Sequence, residues 1–248
     1  MITVSEIEKQ QWQLYEKLFA NNFLLPEKRE DSVLPKRIHQ VWLGSPLPDK
    51  YKKWTESWKR INPDWEYRLW TDKDLGDVDI PRRKLFDKIN HLGQKSDFLR
   101  YHILNQYGGV YADTDFECLR PLDTLTYLKF FTSKTYSKST MELFIGLIGS
   151  IPHHPILERL IHSMKRADDR TWRRIFNTTG SYFFTSVFFE TITSFTKDIV
   201  IFPPDYFYPF PNTDRHSERE PHTYIKAHSY AIHYWEVSWS RKKKRYVS

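Results

Sequence analysis

Strand-like and helix-like segments alternate along the first half of this 248-residue chain. Segments 36–44, 66–70 and 109–113 have the apolar composition of buried strands, and segments 49–61 and 95–109 between them carry apolar residues at helical spacing. Strands separated by helices are typical of parallel sheets with right-handed crossovers. The pattern therefore predicts an α/β fold with a mostly parallel central sheet flanked by helices.

The second half is less regular, but it contains no internal repeat and no low-complexity linker. Strands are predicted at 128–133 and 142–149, and helices at 154–166 and 180–193. Near the start, helical spacing of aromatic residues predicts an amphipathic helix over 5–20. The predicted organisation has three parts: an N-terminal helical extension (1–34), one continuous domain (35–240) and a basic C-terminal tail (241–248).

Much of the net charge of +7 comes from one short segment, Arg241–Arg245, with the sequence RKKKR. Without these five cations the net charge falls to about +2, which argues against a nucleic-acid-binding surface on the rest of the chain. Two interpretations of the tail remain open. It is either a solvated end or a segment attracted to an anionic membrane.

The cysteine content and the hydropathy pattern favour a cytoplasmic location. Cys118 is the only cysteine, so no intrachain disulfide is available and a reducing compartment is the expected setting. The first residues lack a signal-peptide pattern, and no run approaches the roughly 20 apolar residues that a membrane span needs. We expect a cytoplasmic protein, with the basic tail allowing peripheral contact at the inner face of the membrane.

Three acidic residues alternate in YADTDFE, directly after the third predicted strand: Asp113, Asp115 and Glu117. Ligands of open α/β sheets bind beyond the carboxyl ends of the strands. An extended chain would place Asp113 and Asp115 on one face, where two carboxylates suit Mn²⁺ or Mg²⁺ better than zinc. A D-x-D pair also occurs in ordinary turns, so the pair alone is weak evidence. Glu117 is expected to be a solvated residue outside the site.

Asp97 and Arg100 lie three residues apart on the preceding predicted helix and therefore share one face. One interpretation is a surface ion pair worth less than about 0.5 kcal/mol. In the other, Gly108-Gly109 reverses the chain and turns this face toward Asp113 and Asp115. A carboxylate for sugar hydroxyls, a guanidinium for an anionic leaving group and a metal-binding pair would together fit glycosyl transfer from a nucleotide sugar.

Three ordered blocks, RIHQVWLG, KSDFLRYHILNQYGGVYADTD and AIHYWEVSW, resemble glycosyltransferase family 32, a family of DXD-containing sugar transferases. The pattern is also similar, more distantly, to the catalytic domain of the clostridial glucosylating toxins. The resemblance spans roughly Pro35 to Trp239. It implies a GT-A-type single domain with a Rossmann-like sheet, and a metal-dependent transfer that retains the anomeric configuration.

On the donor side, the resemblance implies a role for five residues of the first two blocks. Trp42 stands where related enzymes stack the nucleotide base, with Val41 giving backbone contacts. Ser96, Asp97 and Arg100 stand in the S-D-x-x-R segment that holds the donor sugar, and Asp97 and Arg100 are the expected catalytic residues of this group.

At the diphosphate, the resemblance implies that Asp115 is the direct ligand of Mn²⁺ or Mg²⁺. Asp113 stands where a carboxylate meets the ribose and a metal-bound water. His233, Ser238 and Trp239 resemble the C-terminal loop that closes over the diphosphate, with Trp239 as a further catalytic residue. Either His233 or Ser238 would complete the metal site.

The predicted function is transfer of a hexose from a nucleotide sugar to a glycan or lipid-linked acceptor, with a UDP-hexose favoured over GDP-mannose and no nucleic-acid partner. Two alternatives remain: a metal-dependent phosphatase that uses the D-x-D pair, and a non-catalytic interaction module. The aromatic run at 206–210 has two interpretations as well, an acceptor platform or core packing, with core packing favoured.

Overall fold

A computed structural model describes residues 4–25, 32–137, 140–164, 175, 177–192 and 196–236. Ser238, Trp239 and the basic segment Arg241–Arg245 lie outside these ranges, so their predicted roles remain predictions. None of the helices in the described ranges has the length and hydropathy needed to cross a membrane.

The helices are α1 (Val4–Phe19), α2 (Asp49–Ile61), α3 (Arg83–Asp87), α4 (Leu92–Tyr107), α5 (Pro155–Ser163) and α6 (Ser181–Thr191). The strands are β1 (Arg37–Val41), β2 (Glu66–Trp70), β3 (Gly109–Ala112), β4 (Phe116–Cys118), β5 (Phe130–Ser133), β6 (Leu147–Ser150), β7 (Ile199–Phe202) and β8 (Ala231–His233).

Six strands form the central sheet in the order β2-β1-β3-β6-β5-β7. Its pairings are parallel except at β6, which runs antiparallel to both of its neighbours. The mostly parallel sheet predicted from the sequence is therefore confirmed. The carboxyl ends of β1, β3, β5 and β7 meet at one edge, where a ligand site is expected.

A second sheet contains only β4 and β8, which pair antiparallel with Phe116 opposite His233. The sequence analysis did not predict β4. Helix α2 buries Trp54 and Trp58 against this part of the molecule, and the Trp58 indole N–H donates to the carbonyl oxygen of Phe116 at 3.0 Å. Helix α2 therefore fixes the strand that follows the acidic pair.

Glycines end α4 and start β3. Gly108 and Gly109 have φ angles of 62° and 100°, a region that residues with a side chain rarely adopt. A Cβ on Gly109 would lie 2.4 Å from the carbonyl oxygen of Arg37 in the neighbouring β1. The glycine pair thus allows the sharp reversal that places β3 against β1 and brings its carboxyl end near the face of α4.

The ends of two other segments differ from the sequence prediction. Helix α4 begins three residues earlier than expected, at Leu92, because the ring of His91 caps it by accepting from the Gln94 N–H. The strand expected over 142–149 is regular only in β6, because residues 144–146 line a cavity instead of continuing the sheet.

The N-terminal helices pack on the far edge of the sheet. Phe23 follows α1 in a short π-helical segment, and its ring lies 4.7 Å from the Phe202 ring in β7. Leu18 is also fully buried. The helical nature of this extension is as predicted, whereas the proposed boundaries at 34/35 and 240/241 remain predictions.

Candidate active site

A cavity of about 860 Å³ opens at the carboxyl edge of the central sheet. It is lined on one side by residues from the ends of β1 and β3 and from α4, and on the other by residues that follow β5 and β7. The lining includes the predicted residues Val41, Trp42, Ser96, Asp97, Arg100, Asp113, Asp115 and His233. One concave site therefore unites every predicted site residue that the structure describes.

The acidic pair lies in a turn rather than in an extended strand, so the geometry expected from the sequence was wrong. The Phe116 N–H donates to the carbonyl oxygen of Asp113 at 3.1 Å, which closes the turn between β3 and β4. The turn points both carboxylates into the cavity. Single ligand atoms of Asp113, Asp115 and His233 all lie within 4.8 Å of one another.

Asp115 is fixed by the strand that pairs with β4 and by the residues after it. Its Oδ1 lies 3.0 Å from Nε2 of His233, and its Oδ2 accepts from the Glu236 N–H at 2.8 Å. Trp235, between them, has a φ of 57°, which is uncommon for a bulky residue and turns the Glu236 N–H toward the carboxylate. One corner of the cavity is thus formed by residues that are distant in sequence, Asp115, His233 and Glu236.

The chemistry of this corner fits a hard divalent cation. Two carboxylates and one imidazole are a ligand set that suits Mn²⁺. The His233 Nε2 donates to Asp115 in the tautomer that carries the proton on Nε2, and the buried Nδ1 has no hydrogen-bond partner among the described residues. Binding of a cation through Nε2 would need the proton to move to Nδ1.

Arg100 connects the face of α4 to the acidic turn. Its Nη2 lies 3.1 Å from Asp97 Oδ1 and 3.2 Å from Asp113 Oδ1, and its Nη1 donates to the Ile145 carbonyl oxygen at 2.6 Å. The side chains of Asp97 and Arg100 are 8% and 5% exposed. The alternative of a surface ion pair is therefore wrong, since this pair belongs to a buried network.

Burial perturbs the acidity of both carboxyl groups in this network. It raises the pKa of Asp97 to about 7, although Arg100 and the Thr179 hydroxyl, 2.9 Å from Oδ2, act to lower it. Burial also raises the pKa of Asp113, opposed by Arg100 and by the Tyr111 hydroxyl, which donates to Oδ1 at 2.7 Å. Perturbed carboxyl groups gathered in a cleft are typical of functional sites.

Trp42 stands at the carboxyl end of β1, on the cavity wall. Its backbone N–H donates to the Trp70 carbonyl oxygen at 2.9 Å, which continues the pairing with β2. Its indole N–H donates to Ser45 Oγ at 3.2 Å, and its ring centroid lies 4.7 Å from that of Tyr51. The ring is half-buried, so one part of it remains available for a flat ligand.

Glu117 lies outside the cavity lining, as expected, but its side chain is only partly exposed. Its carboxylate accepts a hydrogen bond from the Tyr234 hydroxyl and lies 3.2 Å from Nε2 of His222. The Tyr234 ring stacks on Trp54 of α2 at 4.5 Å. Glu117 therefore helps to hold the segment that follows His233, a role that depends on the pairing of β4 with β8.

Gly146 lines the cavity without a recognisable signal in the sequence, and Tyr208 lines it as part of the aromatic run at 206–210. Gly146 lies just before β6, and Tyr208 lies in the aromatic run after β7. Phe207, Tyr208 and Phe210 are all buried, as expected for core packing, but Tyr208 also borders the cavity. Burial and nearby Asp113 raise the pKa of its hydroxyl well above the usual range, so the group stays protonated.

Comparison with known proteins bears directly on this site. Residues 48–131 match the family described as "Glycosyltransferase sugar-binding region containing DXD motif". The similarity is therefore to the DXD-containing sugar-binding region of glycosyltransferases and covers about a third of this chain. This segment includes Asp97, Arg100, Asp113 and Asp115. Val41, Trp42 and His233 lie outside it, and the fold brings them to the same cavity. The family resemblance inferred from the sequence is confirmed.

Several curated relatives share this region. Over 57% of its own length, this chain is 32% identical to inositol phosphoceramide mannosyltransferase 2 of Schizosaccharomyces pombe. Over 55% of its own length, it is 32% identical to mannosyl phosphorylinositol ceramide synthase SUR1 of Saccharomyces cerevisiae. It spans only 41% and 36% of these two proteins. It is also 29% identical to the uncharacterized glycosyltransferase L373 of Acanthamoeba polyphaga mimivirus, over 71% of this chain and 74% of that protein.

Among solved structures, the PaToxG glycosyltransferase superposes with a TM-score of 0.53 at 18% sequence identity, over 76% of this chain and 78% of that one. At this identity the likeness concerns the fold alone. It confirms the predicted GT-A-type α/β architecture.

Proposed function

We propose that this protein is a metal-dependent glycosyltransferase that moves a hexose from a nucleotide sugar to a glycan or lipid-linked acceptor. The observation that carries the proposal is the convergence in one cavity of the Asp113–Asp115–His233 cluster and the buried Asp97–Arg100 pair, inside and beside the DXD-containing region. The phosphatase alternative is less well supported, because the D-x-D pair follows the third strand of the sheet and not the first.

The cavity offers a separate group for each part of a nucleotide sugar. Trp42 would stack on the base, a contact worth about 1–3 kcal/mol for an aromatic side chain. Asp97 would accept hydrogen bonds from sugar hydroxyls, and Arg100 would face the charge that develops on the leaving nucleoside diphosphate. Asp113, Asp115 and His233 would hold Mn²⁺ or Mg²⁺, which neutralises diphosphate charge when bound.

We further propose that the transfer retains the anomeric configuration, as the family resemblance implies, and that Ser238 and Trp239 close over the diphosphate. Retention is tested by following the configuration of the first product by NMR. An inverted first product would refute this part of the proposal and leave the transferase activity itself intact.

The names of the relatives favour mannose as the transferred sugar, because several of them are mannosyltransferases acting on inositol phosphoceramide. GDP-mannose is therefore the first donor to test, ahead of the UDP-hexoses favoured by the sequence alone. An acceptor that carries a phosphorylated lipid would also agree with a role for Arg241–Arg245 at an anionic membrane. Co-sedimentation with anionic vesicles, with and without residues 241–248, tests that role; equal binding would refute it.

The decisive experiment measures donor binding and donor hydrolysis with GDP-mannose, UDP-glucose and UDP-galactose, each with Mn²⁺, with Mg²⁺ and with a chelator. We expect one donor to be bound and slowly hydrolysed in a metal-dependent manner. Asp115→Asn is expected to abolish the metal dependence, whereas Asp123→Asn, at an exposed ion pair with Lys36 outside the cavity lining, serves as a matched control. If no donor is bound or hydrolysed, or if Asp115→Asn is as active as the wild type, the proposal is refuted.

A further inference from the structure

Tyr208 has a buried hydroxyl group that lies near the Leu147 backbone but meets no acceptor in hydrogen-bond geometry among the described residues. The residue is 1% exposed. Burying an unpaired hydroxyl is unfavourable, so such a group in a native protein calls for a partner. Tyr51, which lines the same cavity, also has a buried hydroxyl without such a partner, whereas Tyr230 bonds through its hydroxyl to Thr124 Oγ1 at 2.7 Å.

The Tyr208 hydroxyl faces the same place as the unused oxygen of Asp113. On Asp113, Oδ1 is occupied by Tyr111 and Arg100, whereas no described residue donates to Oδ2. A Cβ added to Gly146 would lie 2.9 Å from this Oδ2 and 3.1 Å from the Tyr208 hydroxyl oxygen. The two oxygens therefore lie no more than about 6 Å apart, a separation that one hydroxyl group bound between them on the cavity side could bridge.

The environment fixes the direction in which Tyr208 presents this group. Its ring stacks on Phe144 at a centroid distance of 4.0 Å and meets the edge of Phe116 at 5.0 Å. Phe144, Gly146 and Tyr208 all line the cavity that contains Asp113. A ring held on two sides cannot easily swing its hydroxyl elsewhere, and the absence of a side chain on Gly146 keeps the space beside both oxygens open.

We propose that Tyr208 and Asp113 together bind one hydroxyl group of the donor substrate, with Tyr208 donating to it and Asp113 Oδ2 accepting from it through the lone pair that the cation would not take. A sugar hydroxyl suits this pair because it can accept and donate at once. The hydroxyl belongs either to the hexose or to the ribose of the nucleotide sugar. This assignment rests on the function proposed above and makes Tyr208 a residue that determines donor specificity.

The test compares Tyr208→Phe with wild-type protein in equilibrium binding, using Mn²⁺ with a nucleoside diphosphate and Mn²⁺ with the corresponding nucleotide sugar. Loss of one neutral hydrogen bond predicts about 2- to 10-fold weaker binding. If the substitution weakens binding of the nucleotide sugar alone, the hydroxyl belongs to the hexose. If it weakens binding of both ligands equally, the hydroxyl belongs to the ribose. Unchanged affinity for both ligands would overturn the proposal.

Deoxy analogues of the donor make the assignment specific. With the analogue that lacks the recognised hydroxyl, wild type and Tyr208→Phe should bind equally well. If Tyr208→Phe stays weaker with every analogue, the effect arises from a disturbed metal corner or from a water molecule held by Tyr208, and the proposal is wrong. Affinity for Mn²⁺ alone is expected to be unchanged.

Tyr230→Phe is the matched control, because Tyr230 is 4% exposed and lies outside the cavity lining. It is expected to lower the thermal midpoint through the lost bond to Thr124 and to leave donor binding unchanged. Tyr208→Phe is expected to keep or raise the thermal midpoint. If wild-type protein binds no nucleotide sugar, the proposed function fails; if wild type binds and Tyr208→Phe binds equally, only the present inference fails.

Discussion

Asp97→Asn is expected to make the stability of this protein less sensitive to pH. Asp97 is 6% exposed, and burial raises its pKa from 3.8 to about 7 even though Arg100 and Thr179 act in the opposite direction. The folded state therefore binds this proton more tightly than the unfolded chain does. The resulting stabilisation is complete below the unfolded pKa and is lost as the pH rises to the folded one.

The magnitude follows from the difference between the two pKa values. Each unit corresponds to about 1.36 kcal/mol, so the free energy of unfolding of the wild type should fall by about 3 kcal/mol relative to Asp97→Asn between pH 4.5 and pH 8. Carboxyl groups that do not interact with Asp97 change stability over this range in both proteins and cancel in the comparison.

Urea denaturation at several pH values, without divalent cations, measures this difference. Asp64→Asn, which removes an exposed carboxylate, is the control for the change in net charge. The difference between wild type and Asp64→Asn should not vary with pH by a comparable amount. If the difference between wild type and Asp97→Asn is also constant from pH 4.5 to pH 8, Asp97 is ionised throughout and the reasoning from burial is wrong.

Three further substitutions test the cavity. Asp115→Asn should reduce Mn²⁺ affinity at least about 100-fold, measured by titration calorimetry, because it removes charge from the metal corner; unchanged affinity would place the cation elsewhere. Trp42→Leu should raise the KM for the donor by the equivalent of about 1–3 kcal/mol with little change in kcat, since stacking binds the base and not the reacting sugar; an unchanged KM contradicts base stacking. Gly146→Ala should strongly reduce activity and cost about 1–3 kcal/mol of stability, because its Cβ would lie 2.9 Å from Asp113 Oδ2; full activity would show that Asp113 can move without consequence.

Much of the donor half of the site was predictable because the residues that form it lie close together in the sequence. The Asp97–Arg100 spacing defines a helix face, Gly108-Gly109 defines a reversal, and Asp113 and Asp115 follow within a few residues. Local spacing also located β1, β2 and β3 to within a few residues. It could not distinguish a buried pair from a surface pair, because burial of Arg100 depends on the Ile145 carbonyl, 45 residues away.

The residues that sequence reasoning missed are joined to the site by long-range contacts. Strand β4 has three residues and exists because β8 pairs with it and Trp58 bonds to it, so no local pattern announces it. Glu117 lies outside the cavity lining, as expected, but its contact with Tyr234, 117 residues away, could not be predicted. The sequence around Tyr208 is typical of a core segment. Only the tertiary structure places its hydroxyl beside Gly146, where it borders the cavity.

By itself, the sequence determined the alternating α/β architecture and the acidic pair after β3, because side-chain periodicity, glycine conformation and motif spacing act over a few residues. The tertiary structure decided which groups meet. In the folded protein the acidic pair lies in a turn and not in an extended strand. His233 contacts Asp115 although 118 residues separate them, and Asp97 is buried together with Arg100. These outcomes depend on strand pairing and on exclusion of water, which arise only once distant parts of the chain have packed together.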